Sequence, residues 1–273
     1  MTEPFFALDP FVFIVLATVA GFIVGSFLNV VVARFPQMML NETSDASFNL
    51  ATPRSHCFAC KQAILWCHNI PVFSYLYLRG RCYRCNAAIG NRHLIIELMT
   101  GAVFGYFAWR YDFTMLFFAA VTFSSFTIAL SVLDLQLMML PDKLTLPLLW
   151  IGLWFNLNAI FVPLNAAVIG AMTGYLSLWS IYWTFKLLTK KEGLGHGDFK
   201  LFAAIGAFFG WISLPFIAAL AAILALVAIL IRSLLKLGHA DQPIPFGPFL
   251  LIAAFVILCM GPDFLQYFSF TIT

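Results

Sequence analysis

The chain has 273 residues, 62% of them hydrophobic, 17% aromatic and only 10% charged, with a formal net charge of +3; its mean hydropathy is +0.94. Soluble domains carry about 25% charged and about 45–50% apolar residues, so this composition cannot clothe a water-facing surface and excludes soluble, disordered and coiled-coil classes. The small net charge gives no footing for nucleic acid as a partner and leaves the lipid bilayer as the solvent.

A bilayer crossing needs about 20 apolar residues, and such blocks recur along the chain. Residues 1–10 contain Glu3 and Asp9 and no basic residue. A cleaved secretory signal begins with basic residues, so the first block, Phe11 to Ala33, is expected to stay as a membrane helix. Further blocks are Leu94 to Trp109, Phe113 to Leu133, Leu144 to Val162, Leu164 to Phe185, Leu201 to Ile231 and Phe246 to Phe268. As one helix, Leu201 to Ile231 would be about 46 Å long against a hydrocarbon core of about 30 Å. Pro215 is the expected break, which gives eight segments. With the N-terminus outside, 14 of the 15 basic residues, all but Arg110, then fall inside, as the positive-inside rule requires. The fold class is therefore an all-α polytopic membrane protein of about eight transmembrane helices. Gly21/Gly25, Gly101/Gly105, Gly170/Gly174 and Gly206/Gly210 have the small-xxx-small spacing of close helix packing. No internal repeat is evident, and Asn41-Glu42-Thr43 matches a glycosylation acceptor by pattern only.

Three regions follow: a first helix over 1–33, a polar loop over 34–93 and a multi-helix membrane region over 94–273. Five of the six cysteines lie in the loop. Cys57-Phe-Ala-Cys60 and Cys82-Tyr-Arg-Cys85 have the paired spacing of a tetrahedral four-thiolate zinc site. Lys61, Arg79, Arg81 and Arg84 stand near to offset the −2 charge of such a centre. A loop this poor in apolar residues could draw its folding energy from the metal. Disulfide chemistry is the rival reading, and an inner, reducing side argues against it. Cys67 and His68 could replace a ligand but lack the spacing; Cys259 reads as packing.

Charge is scarce elsewhere, so acids at the membrane boundary are functional candidates. Asp134 ends the third long apolar run. Asp198 closes Gly195-His196-Gly197-Asp198, just before the sixth, at the same boundary. Two neighbouring carboxylates share a proton, because like charges cannot both ionise easily; one then takes a proton from water while the other polarises a carbonyl. The glycines would let a substrate backbone come close. The alternative for Asp198 is a helix cap. Asp142, in Pro141-Asp142-Lys143, reads as an N-cap. Lys200 could favour an ionised aspartate or snorkel at the boundary, and Glu97 is either a buried ion-pair partner or a site residue.

Gly21 to Pro36 (GFIVGSFLNVVVARFP), the two CxxC pairs, Asp134 through Pro141-Asp142, Glu192 to Leu201 (EGLGHGDFKL) and Pro245 to Leu250 (PFGPFL) occur in the order found in bacterial prepilin peptidases. The chain resembles that family over almost its whole length. The resemblance implies a GxGD-type membrane aspartic protease of the bacterial inner membrane. It would remove the basic leader of type IV prepilins and type II secretion pseudopilins on the cytoplasmic face, with both termini periplasmic. It assigns catalysis to Asp134 and Asp198 and structural zinc to Cys57, Cys60, Cys82 and Cys85. It also implies N-methylation of the new N-terminus with S-adenosylmethionine as donor, for which the sequence points to no residues. His196, between the glycines, is a variable position. A homo-oligomer is left open. A proton- or cation-coupled transporter with a zinc scaffold is the alternative, but no inverted repeat supports it. A membrane thiol oxidoreductase would need its cysteines on the oxidising side, against the charge distribution.

Overall fold

The computed structural model describes residues 9–39, 48–191, 195–235 and 244–261. Asn41-Glu42-Thr43, Glu192 to Leu194, Lys236 and the end of the last apolar block lie outside the described residues. The described chain is helical apart from two isolated β-bridges. Its helices are α1 (Pro10–Met39), α2 (Phe73–Tyr77), α3 (Asn91–Tyr111), α4 (Met115–Leu137), α5 (Asp142–Asn156), α6 (Leu164–Thr189), α7 (His196–Leu234) and α8 (Gly247–Met260), with a 3-10 turn at Trp66–Asn69. By length and composition α1, α4, α6 and α7 are long and apolar enough to cross a membrane. Each apolar block of the sequence overlaps a helix among the described residues.

The chain divides into two compact units, residues 2–129 and 130–273. In the first, α1 packs on α3 with the backbones in close approach. A methyl group on Gly21 would stand 2.8 Å from the Gly101 Cα, and one on Gly25 would stand 2.8 Å from the Glu97 Cα. The small-residue spacing thus serves packing, as expected. Edge-to-face rings of Phe13 and Phe117, 5.1 Å apart, bring the start of α4 onto α1.

In the second unit α7 packs against α5, α6 and α8. From Leu201 to Gly210 it is apolar all round and every residue is buried, the pattern of a core helix. Glycine again sets the spacing: a methyl on Gly174 would come within 2.6 Å of the Phe202 carbonyl oxygen.

The break in α7 falls at Gly210, with φ 74° and ψ 172°, and not at Pro215, which lies inside the second half. That backbone region is open only to glycine. The break frees carbonyls at the end of the first half, and a buried side chain meets them. Asn156 Nδ2 donates to the Ala207 and Phe208 carbonyls, both at 2.8 Å, while its Oδ1 accepts from the Phe161 and Val162 N–H groups. The Ser213 hydroxyl donates to the Phe209 and Gly210 carbonyls. All of the Asn156 amide is thereby used. Replacing Asn156 with Leu strands buried donors and acceptors at about 1–3 kcal/mol each. It should lower stability in detergent by at least about 3 kcal/mol, read as the loss in a denaturant or thermal unfolding series.

Candidate active site and metal centre

Asp134 and Asp198 both belong to the second unit. Asp134 sits near the end of α4 and Asp198 is the third residue of α7, with 4% and 7% exposure. Each carboxylate accepts a hydrogen bond from a glycine N–H, Asp134 from Gly247 and Asp198 from Gly195. The two acids lie within electrostatic reach of one another. Asp198 thus also serves its helix, because a carboxylate at the third position reaching back to the N-cap N–H is half of a capping box. The helix-cap alternative for Asp198 is met in this form.

The glycines act by close packing. A Cβ on Gly247 would stand 2.5 Å from Asp134 Oδ2, and one on Gly197 would stand 2.8 Å from the Leu140 Cβ. The expectation that the glycines leave room for a substrate backbone is corrected for Gly197, which lets the first turn of α7 lie against Leu140, while Gly195 stands beside Asp198. Gly247 carries a role that the sequence reading missed. Its PFGP block was visible, but nothing in the pattern says that its amide reaches Asp134.

Asp142 is the first residue of α5, and Pro141 holds the N-cap position without a side-chain bond. Both Asp142 oxygens accept from Lys200 Nζ at 2.7 Å. The capping assignment is therefore corrected to an exposed ion pair at a helix N-terminus, where an acid also suits the helix dipole. Lys200 is committed to Asp142. His196 packs edge-on to the Tyr182 ring at 5.0 Å and beside Phe199.

In the first unit the ligating atoms of Cys57, Cys60, Cys82 and Cys85 lie within 4.8 Å of one another, and the Cys57 and Cys85 sulfurs are 3.8 Å apart. Zinc–sulfur bonds of about 2.3 Å in a tetrahedron require sulfurs about 3.8 Å apart, so the spacing fits the metal, where a disulfide would bring two sulfurs to about 2.05 Å. His68 packs on Tyr83 instead.

The two CxxC segments are structural copies 25 residues apart, a repeat that the sequence reading did not see. The N–H groups of Cys57 and Cys82 donate to the Gln62 and Ala87 carbonyls. Those of Ile64 and Ile89 donate to the Ser55 and Gly80 carbonyls. A β-bridge joins His56 to Ala63 and another joins Arg81 to Ala88. Lys61 and Asn86 turn the chain at φ 57° and 55°. Only Cys, Cys, Ala and Ile recur at matching positions, too few to announce the repeat. Backbone N–H groups of Cys85 and Arg84 directed at Cys82 pull its thiol down to about 6. Against the pull of the Ala87 N–H, desolvation and the thiols of Cys82, Cys60 and Cys57 push Cys85 up to about 11.

Glu97, in α3, is buried and accepts the Val72 N–H at 2.7 Å. The ion-pair expectation is not met: among the described residues no Lys or Arg pairs with it.

These features are those of a membrane protein with a buried pair of aspartates in one unit and a cluster of four thiols that could hold a metal ion in the other. Residues 121–230 match the type IV leader peptidase family, and residues 19–111 match the bacterial peptidase A24 N-terminal domain. The chain belongs to this family. It is 42% identical to the prepilin leader peptidase/N-methyltransferase of Aeromonas salmonicida over 96% of both chains. It is 41% identical to the protein of that name in Pseudomonas aeruginosa over 97% of this chain and 98% of the relative. Against the one in Neisseria gonorrhoeae it is 42% identical over 92% and 91%. No solved structure matches the chain.

Proposed function

We propose that the chain is a prepilin leader peptidase that also N-methylates its product. The observation that carries the peptidase reading is the buried pair Asp134 and Asp198, each held by a glycine amide. One carboxylate takes a proton from the attacking water as the other, protonated, polarises the scissile carbonyl. A type IV prepilin or pseudopilin presents a basic leader and then an apolar helix. The helix enters the bilayer, the leader stays outside it, and the scissile bond comes to the boundary. The distribution of basic residues supports a boundary on the cytoplasmic side of the bacterial inner membrane, with both termini periplasmic.

The four cysteines hold zinc as a structural centre, which ties the two copies of the CxxC turn together and supplies a fold that the loop's few apolar residues cannot. S-adenosylmethionine supplies the methyl group for the second reaction.

Detergent-purified protein incubated with a prepilin, with and without S-adenosylmethionine, tests the reading. Leader removal in both samples and a methylated product only with the donor are expected. An intact precursor would remove the peptidase assignment, and a cleaved but unmethylated product would remove the second activity. Replacing Gly247 with Ala tests the geometry. The added methyl must displace the Asp134 carboxylate, and leader cleavage should fall by at least about tenfold, since small displacements of catalytic groups are costly. A variant as fast as the wild type would contradict the role given to this glycine.

A further inference from the structure

A cavity of about 440 Å³ lies between α1, α3 and the two CxxC turns. Two groups on its wall are without use in the zinc centre or the peptidase. The first is the Glu97 carboxylate, 9% exposed. Besides the Val72 N–H, the Ser26 hydroxyl and the Asn29 amide reach it. All three donors are neutral. A buried carboxylate with no counter-ion is costly to keep charged.

The second group is the Asn29 side chain, 7% exposed. Its Nδ2 donates to the His93 carbonyl at 3.0 Å and faces Glu97, which fixes which way the amide points. Its Oδ1 is buried and has no hydrogen-bond partner. Nearly all buried polar atoms are paired, so this orphan acceptor calls for a donor, from a ligand or from a water. Of the basic residues on the same wall, Lys61 and Arg84 form no ion pair with Glu97 among the described residues, and Arg34 cannot serve as the missing cation. Its guanidinium is bound to the carbonyls of Asn49, Leu50 and Pro53.

Val72 provides a third sign. It is β-branched yet has φ 62°, a conformation that costs about 1–3 kcal/mol and gathers at functional sites. This turn delivers the N–H that orients Glu97 Oε2. The wall therefore combines a buried carboxyl group held by neutral donors, an unfilled acceptor and a strained turn that positions the carboxyl. A cation carried by an organic ligand answers all three.

We propose that this cavity binds an organic cation at Glu97 and Asn29 Oδ1, either the sulfonium of a methyl donor or the free α-amine of a processed peptide. The choice of ligand rests on the methyl-transfer reading. The site itself does not, because it is defined by the carboxylate and the orphan oxygen.

The test is equilibrium binding to the purified full chain. One arm compares S-adenosylmethionine with S-adenosylhomocysteine, which lacks the charge on sulfur. The other compares a peptide with a free mature N-terminus with the same peptide acetylated. In at least one arm the wild type should prefer the charged ligand by about tenfold or more, as expected for a largely buried ionic contact. Glu97→Gln, which can still accept the Val72 N–H, should abolish that preference while the zinc content per chain stays the same. The arm that responds identifies the source of the cation. Equal binding of charged and neutral ligands by the wild type in both arms would overturn the proposal even if the variant fails to fold. So would a preference that survives in a zinc-loaded Glu97→Gln. A methylation assay on the wild type separates the two ideas: methyl transfer without charge preference sinks the cation site alone, and charge preference without methyl transfer sinks only the second activity.

Discussion

Asp134→Asn and Asp198→Asn should each lower leader cleavage by on the order of 10³ or more, because general acid–base steps contribute about 10²–10⁴ in rate and a neutral amide can neither take nor hold the shared proton. The fold should survive. Asparagine keeps the shape, and its Oδ1 can still accept the Gly247 or the Gly195 N–H that the carboxylates accept. Removing a charge from a buried position spares its desolvation cost as well. The double variant should be scarcely worse than either single one, since the two groups act as a unit. Asp142→Asn provides the contrast. Its ion pair with Lys200 is exposed, at 54% for Asp142 and 32% for Lys200, and pairs of this kind are worth about 1 kcal/mol or less. Cleavage should stay within a few-fold of the wild type. A loss as large as that of the buried pair would mean that the acids have been assigned wrongly.

Replacing Cys57 and Cys60 by Ser should remove about one tightly bound zinc per chain, measured by elemental analysis, and should open the segment 48–90 to protease. The reason lies in how little else holds that segment. Its regular structure amounts to one short helix, one 3-10 turn and two isolated bridges. Structural zinc in small peptides supplies on the order of 10 kcal/mol of folding free energy, which no set of contacts in such a loop could replace. Because thiolates are the ligands, zinc affinity should fall as pH falls. Finding no zinc in the wild type, or a loop equally resistant in the variant, would contradict the assignment.

Much of this was legible in the sequence for a physical reason: in a chain with few charges, each polar cluster in or beside an apolar block has to be explained. Asp134, Asp198 and the paired cysteines stood out in that way. What was hidden depended on distance in three dimensions. Pro215 looked like the break in α7, yet the break is at Gly210, where Asn156 from another helix accepts the cost of the freed carbonyls. Asp142 looked like an N-cap because it precedes an apolar run, yet its partner is Lys200, 58 residues away. Gly247 could not be linked to Asp134 by any local pattern. The duplicated CxxC turn escaped notice because its likeness lies in backbone hydrogen bonds and shares only four side chains. Glu97 was conspicuous as a buried acid, but its neighbours, among them Asn29 from α1, came into view only with the packing of α1 on α3.

The most direct measurement of the central claim is the mass of a prepilin after incubation in vesicles with the wild-type chain, and in parallel with Asp198→Asn at matched protein level. A product shortened by its leader with the wild type, and an unchanged precursor with the variant, is the predicted result. Cleavage by Asp198→Asn at the wild-type rate would contradict the claim that the buried aspartate pair performs the chemistry.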